Sequence, residues 1–168
     1  FGAPAGPTGA ASEDELVELA LRQLQRMLAN GTTTVEIKSG YGLTVEDELK
    51  SLRVIQRLRE LTPVNIHATY MGAHGIPPEY RDRRADYIAQ VIETIPQVAA
   101  EGLAEFVDVF ADPLAFTNGE ALVILKAAKQ AGLMVKLHAD EFESNQTAET
   151  FAKVTGSAAP VSIDHLAG

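Results

Sequence analysis

Five short strand-type runs, each set apart from the next by a helix-length amphipathic stretch, constrain this chain more than any other feature. Parallel neighbours in a sheet need a crossover of about a dozen residues or more, usually a helix, so this alternation predicts a parallel α/β sheet. The runs are Thr33–Lys38, Val64–Met71, Phe106–Phe110, Met134–His138 and Val161–His165. Ser12 with Glu15 forms a capping box ahead of Leu16, Leu19, Leu24, Met27 and Leu28, and Asn30-Gly31 ends that helix near residue 29. Thr44 with Asp47 caps a second helix, which carries Leu49, Leu52, Ile55 and Leu58 and stops at Pro63. A third turns Tyr87, Ile88, Val91 and Ile92 inward and is expected to bend or break near Pro96. Thr117 to Glu120 caps a fourth, with Leu122, Leu125 and Ala128, that finishes at Gly132; a fifth is expected from about Asn145 to Val154. Phe1 to Ala10, with three Gly and two Pro, is expected to be an irregular loop. The pattern fixes the class, α/β, and leaves open a doubly wound sheet or a barrel.

Composition narrows the chemistry. The 168 residues, 46% apolar and 22% charged, are one globular domain's worth. With 14 Lys plus Arg against 23 Asp plus Glu the net charge is −9, which argues against a nucleic-acid-binding surface and against attraction to anionic membranes. No apolar run approaches the roughly 20 residues a bilayer span needs. The expected partner is therefore a small-molecule substrate. The absence of cysteine excludes disulfides, a cysteine nucleophile and a thiolate zinc site, so any metal must rest on His, Asp and Glu. The first residue is Phe1 rather than Met, and the sequence reads as a cut piece.

Parallel sheets collect ligands at the carboxyl ends of their strands. Read in order, those exits are Lys38-Ser39-Gly40-Tyr41-Gly42, Gly72-Ala73-His74, Ala111-Asp112, His138-Ala139-Asp140-Glu141 and Asp164-His165. Three of the four histidines stand there, and this clustering points to a site. A strand-end imidazole such as His138 can hold a metal, and a carboxylate three residues on, Glu141, can reach the metal's other face or its water. Alone, that spacing favours a core histidine and a solvated loop acid; His165, beside His138 in a barrel, shifts the balance. Asp164 is expected to point opposite to His165 and to serve as a packing or supporting acid. His67, inside a strand, reads as structural, and Asp112 and Asp140 as loop-turn residues. Tyr41, between two glycines, either presents its phenol to a substrate or packs in an ordinary turn, and His74 carries the same ambiguity. Ser39-Gly40-Tyr41-Gly42 lacks the spacing of a phosphate loop.

Together, Glu36-Ile37-Lys38-Ser39-Gly40-Tyr41-Gly42-Leu43, Gly72-Ala73-His74, Pro77-Pro78-Glu79-Tyr80, Phe106-Val107-Asp108-Val109-Phe110, His138-Ala139-Asp140-Glu141 and Asp164-His165-Leu166 resemble the imidazolonepropionases, metal-dependent amidohydrolases of histidine degradation. The resemblance implies a (β/α)8 TIM barrel of the metal-dependent hydrolase type. Residues 1–168 would be the central part of that single barrel domain, strands two to six, with the remaining strands and a small β domain outside the chain. It implies one divalent or trivalent metal ion, zinc or iron, with His138 as ligand. It makes Glu141 and His165 catalytic and places Tyr41, His74 and Glu141 on the substrate. The implied reaction is hydrolysis of the ring C–N bond of 4-imidazolone-5-propanoate to N-formimidoyl-L-glutamate. The family's His-x-His pair, its metal-binding Asp and its carboxylate-holding arginine fall outside the sequence, so this piece alone is expected to be inactive. A cytoplasmic location follows from the resemblance, which also allows a homodimer. Alternatives are a related purine, pyrimidine or formimidoyl aminohydrolase, or an inactive barrel segment that serves as a binding or assembly module.

Overall fold

The computed structural model describes residues 5–144, 146–154 and 159–166. Its elements are α1 (Ala5–Ala10), α2 (Glu13–Ala29), β1 (Thr34–Lys38), α3 (Val45–Leu61), β2 (Asn65–Ala73), a 3-10 turn (Pro78–Tyr80), α4 (Arg84–Ala100), β3 (Phe106–Ala111), α5 (Asn118–Gln130), β4 (Met134–Ala139), α6 (Thr147–Ala152) and β5 (Ser162–His165). All five strands pair in parallel, in the order β1-β2-β3-β4-β5. A doubly wound sheet reverses its strand order at a switch point; this one does not.

The sheet is also curved. Strands three places apart lie about 14 Å apart in a flat sheet, yet Glu36 on β1 meets Lys136 on β4 at 2.6 Å. Sequential order and curvature together make a five-stranded parallel half-barrel. One face carries Val35, Ile66, Ala68, Val107, Val109, Val135 and Leu137, all buried. The crossovers cover it, with α3 and α4 on β2, α5 on β3 and β4, and neighbouring helices side by side. Leu52, Ile55 and Leu58 of α3 are nearly inaccessible, each worth roughly 1.5–3 kcal/mol of burial. The register puts Glu36, Lys38, Thr69, Asp108, Lys136, His138 and Asp164 on the opposite, inner face.

Four expectations are corrected. Ala5–Ala10 is helical rather than loop: Pro7 sits at the third helical position, where no intrahelical N–H bond is lost. The Lys50 ammonium also ties the segment's end to α3, donating to the carbonyls of Gly9 and Ala11 at 2.8 and 3.2 Å. Helix α4 runs unbroken through Pro96. Ile95 and Val98 on either side are wholly buried, and that burial offsets the cost of the missing hydrogen bond. Strand β2 continues through Gly72 and Ala73, with one extra residue against β3 between Tyr70 and Ala73; such a bulge re-aims a strand exit. Helix α6 is shorter than expected, and Asn145 lies outside the described residues.

Candidate active site

At the carboxyl end of the sheet the aromatic and imidazole rings form one continuous line. Tyr41 meets His74 edge-on with ring centres 4.8 Å apart, His74 meets Phe110 at 6.0 Å, and Phe110 meets His138 at 6.5 Å. His138 meets His165 at 4.9 Å, and His165 Nε2 lies 3.5 Å from a Glu141 oxygen. The structure thus brings Tyr41, His74, His138, Glu141 and His165 to one end of four strands. A cleft of about 390 Å³ opens along the first part of this line, lined by Tyr41, His74, Phe110, Arg81 and Arg84 among others. A larger groove of about 540 Å³ lies on the outside between α4 and α5, and its alanine-rich lining, with Ile92, Pro96 and Gln130, offers no titratable group.

The surroundings fix each imidazole. His74 Nδ1 sits 2.9 Å from the Gly40 carbonyl, which can only accept, so Nδ1 carries the hydrogen and Nε2 is left to the cleft. His138 Nδ1 lies 3.1 and 3.0 Å from the two oxygens of Asp108, a residue with no exposed surface. A carboxylate behind one ring nitrogen is the arrangement that orients a metal-binding histidine and leaves its other nitrogen free. One ligand atom each from Asp108, His138 and Asp164 lies within 4.8 Å of the others. Asp108 is already committed to His138 Nδ1 and Lys38 Nζ, which leaves the second nitrogen of His138 and the Asp164 carboxylate as the donors that fit a divalent cation.

Asp164 corrects the expected alternation. It pairs in register with His138 and shares its face. His165 reaches the same histidine because its backbone is left-handed, with φ of 81°, so both side chains converge where one was expected to turn away. His67 lies exposed on β2, 6.2 Å from the Phe106 ring and well below the exits. Asp112 and Asp140 act as turn anchors: Asp112 accepts from the amides of Leu114 and Phe142, and Asp140 from those of Thr147 and Ala148.

A charged network on the inner face went unread in the sequence. Lys136 donates to Glu36 at 2.6 Å, Lys38 bridges Glu36 and Asp108 at 2.7 Å each, and Asp108 accepts from His138. Burial disfavours the Glu36 carboxylate, but hydrogen bonds from Lys136, Lys38 and Thr69 outweigh it and hold its pKa at about 2. Burial likewise opposes the Lys38 charge, and Asp108 and Glu36 override it to raise that pKa. Parallel strands covered on both faces read as continuous apolar runs; charges at alternate positions of Glu36-Ile37-Lys38, at Asp108 and at Lys136 break that rule and were the available signal.

Sequential parallel strands, with imidazoles and carboxylates gathered at their carboxyl ends, define an α/β half-barrel whose site lies where barrel enzymes keep theirs. No family model matches the chain. Curated relatives do: it is 49% identical over 160 residues to the imidazolonepropionase of Ectopseudomonas mendocina (strain ymp), covering 95% of this chain and 38% of that protein. It is 48% identical to that of Rhizorhabdus wittichii over 93% of this chain and 38% of that protein, and 44% identical to that of Bacillus velezensis over 96% and 37%. The chain is similar to imidazolonepropionases along nearly its whole length, and spans under two fifths of theirs. Among solved structures, a dipeptide epimerase from Methylococcus capsulatus complexed with Mg ion aligns at 15% identity and a TM-score of 0.32, over 89% of this chain and 52% of that one. That likeness is too distant to bear on fold or function. No helix among the described residues is long and apolar enough to cross a membrane.

Proposed function

We propose that this chain is the central part of a (β/α)8 barrel enzyme that hydrolyses the ring C–N bond of 4-imidazolone-5-propanoate to N-formimidoyl-L-glutamate. The observation that carries the reading is the 44–49% identity to imidazolonepropionases over 93–96% of the chain. On this reading His138 is a metal ligand through Nε2, held in place by Asp108, and zinc or iron is the ion. Such an ion supplies Lewis acidity and lowers the pKa of a bound water towards about 7.

The chain's own residues then manage position and protons. Tyr41 donates its phenolic hydrogen to the ring oxygen and polarises that carbonyl. His74, with Nδ1 engaged by Gly40, offers Nε2 to a ring N–H and sets the ring's orientation. His165 takes a proton from the attacking water. Glu141, 3.5 Å from His165, hydrogen-bonds the ring nitrogen and delivers a proton to it as the C–N bond breaks, since an amide nitrogen leaves poorly unless protonated. Water's hydroxyl ends on the carbonyl carbon and its hydrogen on the departing nitrogen. Assay of the full-length protein against imidazolone propionate, cytosine, guanine and formimidoyl-glutamate tests this; turnover of one of the other three in place of imidazolone propionate would overturn it.

A further inference from the structure

Beneath the loop that carries Tyr41 lies a buried carboxylate which the proposed reaction does not use. Glu48, in the first turn of α3, is 2% exposed. Its two oxygens accept three backbone amides of one loop: Oε2 from Gly40 at 2.7 Å, and Oε1 from Gly42 at 2.8 Å and Leu43 at 3.2 Å. Hydrogen bonds donated by backbone amides to an ionised carboxylate are charge-assisted and are the strong kind. The loop backbone is itself in conformations it would not hold unaided. Gly40 has φ of 111° and Leu43, a residue with a side chain, φ of 62°; the latter costs energy that the surroundings must supply. Gly42 packs so closely on the start of α3 that an added Cβ would sit 2.7 Å from backbone atoms of Asp47 and Glu48.

The upper side of the same loop faces the cleft. The Gly40 carbonyl holds His74 Nδ1, and Tyr41 stands over the His74 ring. The amides beside Tyr41 therefore end on Glu48, while the carbonyl before it ends on His74. We infer that Glu48 is a positioning residue: it clamps the Gly40–Leu43 backbone so that the Tyr41 phenol and His74 Nε2 face the substrate ring together. The inference rests on the proposed substrate contacts of Tyr41 and His74. Burial holds the Glu48 pKa above its ordinary value although Ser39 and the amides of Gly42, Leu43 and Gly40 pull it down. Because all three loop amides donate to its oxygens, an amide in its place keeps the shape and puts a donor where an acceptor is needed.

The test is Glu48→Gln in the full-length protein, read in two ways. Hydrogen exchange at the amides of Gly40, Gly42 and Leu43 should speed up by about tenfold or more, with the sheet amides unchanged, as expected for a local opening. KM for imidazolone propionate should rise by about tenfold and kcat should fall with it, because the displaced Tyr41 both holds the ring and polarises its carbonyl. In the Glu48→Gln background Tyr41→Phe should cost much less than in the wild type, because both changes disable the same contact. Protected loop amides, an unchanged KM, or full additivity with Tyr41→Phe would overturn the inference. Should Glu48→Gln not fold, Gly42→Ala displaces the loop without touching the carboxylate and should give the same KM rise; a folded Gly42→Ala protein with wild-type KM would overturn it. If the wild type turns over no imidazolone propionate, the proposed function fails, and the exchange measurement alone decides whether the clamp exists.

Discussion

Replacing Asp108 with Asn should weaken both the fold and the metal site, and the structure gives the size of each effect. The Asp108 side chain is wholly buried and takes Lys38 Nζ at 2.7 Å and His138 Nδ1 at 3.0 Å. At 2.7 Å and an effective dielectric of about 20, the Lys38 attraction is roughly 6 kcal/mol before desolvation. Lys38 keeps its other partner, Glu36, at 2.7 Å, and the neutral amide is relieved of the carboxylate's desolvation cost, which offsets part of the lost attraction, so the net loss should be about 3 kcal/mol, the lower end for a broken buried pair. The amide also no longer draws the His138 Nδ1 hydrogen as strongly, and loss of such support lowers metal affinity by about 10–100-fold. Urea unfolding of the full-length protein reads the first, and competition with a chelator the second. Asp108→Asn with stability within about 0.5 kcal/mol of wild type and unchanged metal affinity would refute the role given to the network.

The remaining predictions concern pH, proton transfer and packing. Glu36 has a folded pKa of about 2, below its free value, so its stabilising contribution is complete above about pH 4.5 and is lost as pH falls towards 2. Its side chain is 24% exposed, and screening should hold the effect to about 1–2 kcal/mol; unfolding followed from pH 6 to 3 should show an acid-side slope that Glu36→Gln flattens. Glu141→Gln should retain metal and lose most turnover, while His138→Ala should lose metal; the reverse, measured by metal analysis and initial rates, would exchange their roles. Gly72→Ala would put a Cβ 2.3 Å from the Tyr70 hydroxyl oxygen, and with that ring fully buried the overpacking should cost about 1–3 kcal/mol, visible as a lowered Tm.

Strand positions and the site's location were legible because both depend on local chemistry. β-Branched runs and capping pairs such as Thr117 with Glu120 act within a few residues, and histidines at strand exits announce themselves. What the sequence hid depends on partners far along the chain. Glu36 and Lys136 are 100 residues apart, and each alone looks like a solvated charge. Glu46, Asp47 and Glu48 all read as first-turn acids of α3, and only the folded loop distinguishes the one that turns inward. Pro96 was misjudged because burial of Ile95 and Val98 is a tertiary effect. The paired reach of Asp164 and His165 towards His138 rests on a left-handed backbone at His165, which no alternation rule foresees.

The most direct test of the account is the formation of N-formimidoyl-L-glutamate from 4-imidazolone-5-propanoate by the full-length protein, followed before and after removal of bound metal. The account predicts product from the metal-loaded protein, its loss on chelation and its return with added zinc or iron, with none of these restored in His138→Ala. A protein that forms no product in any metal state, or that forms it at an undiminished rate when shown to be metal-free, would contradict it.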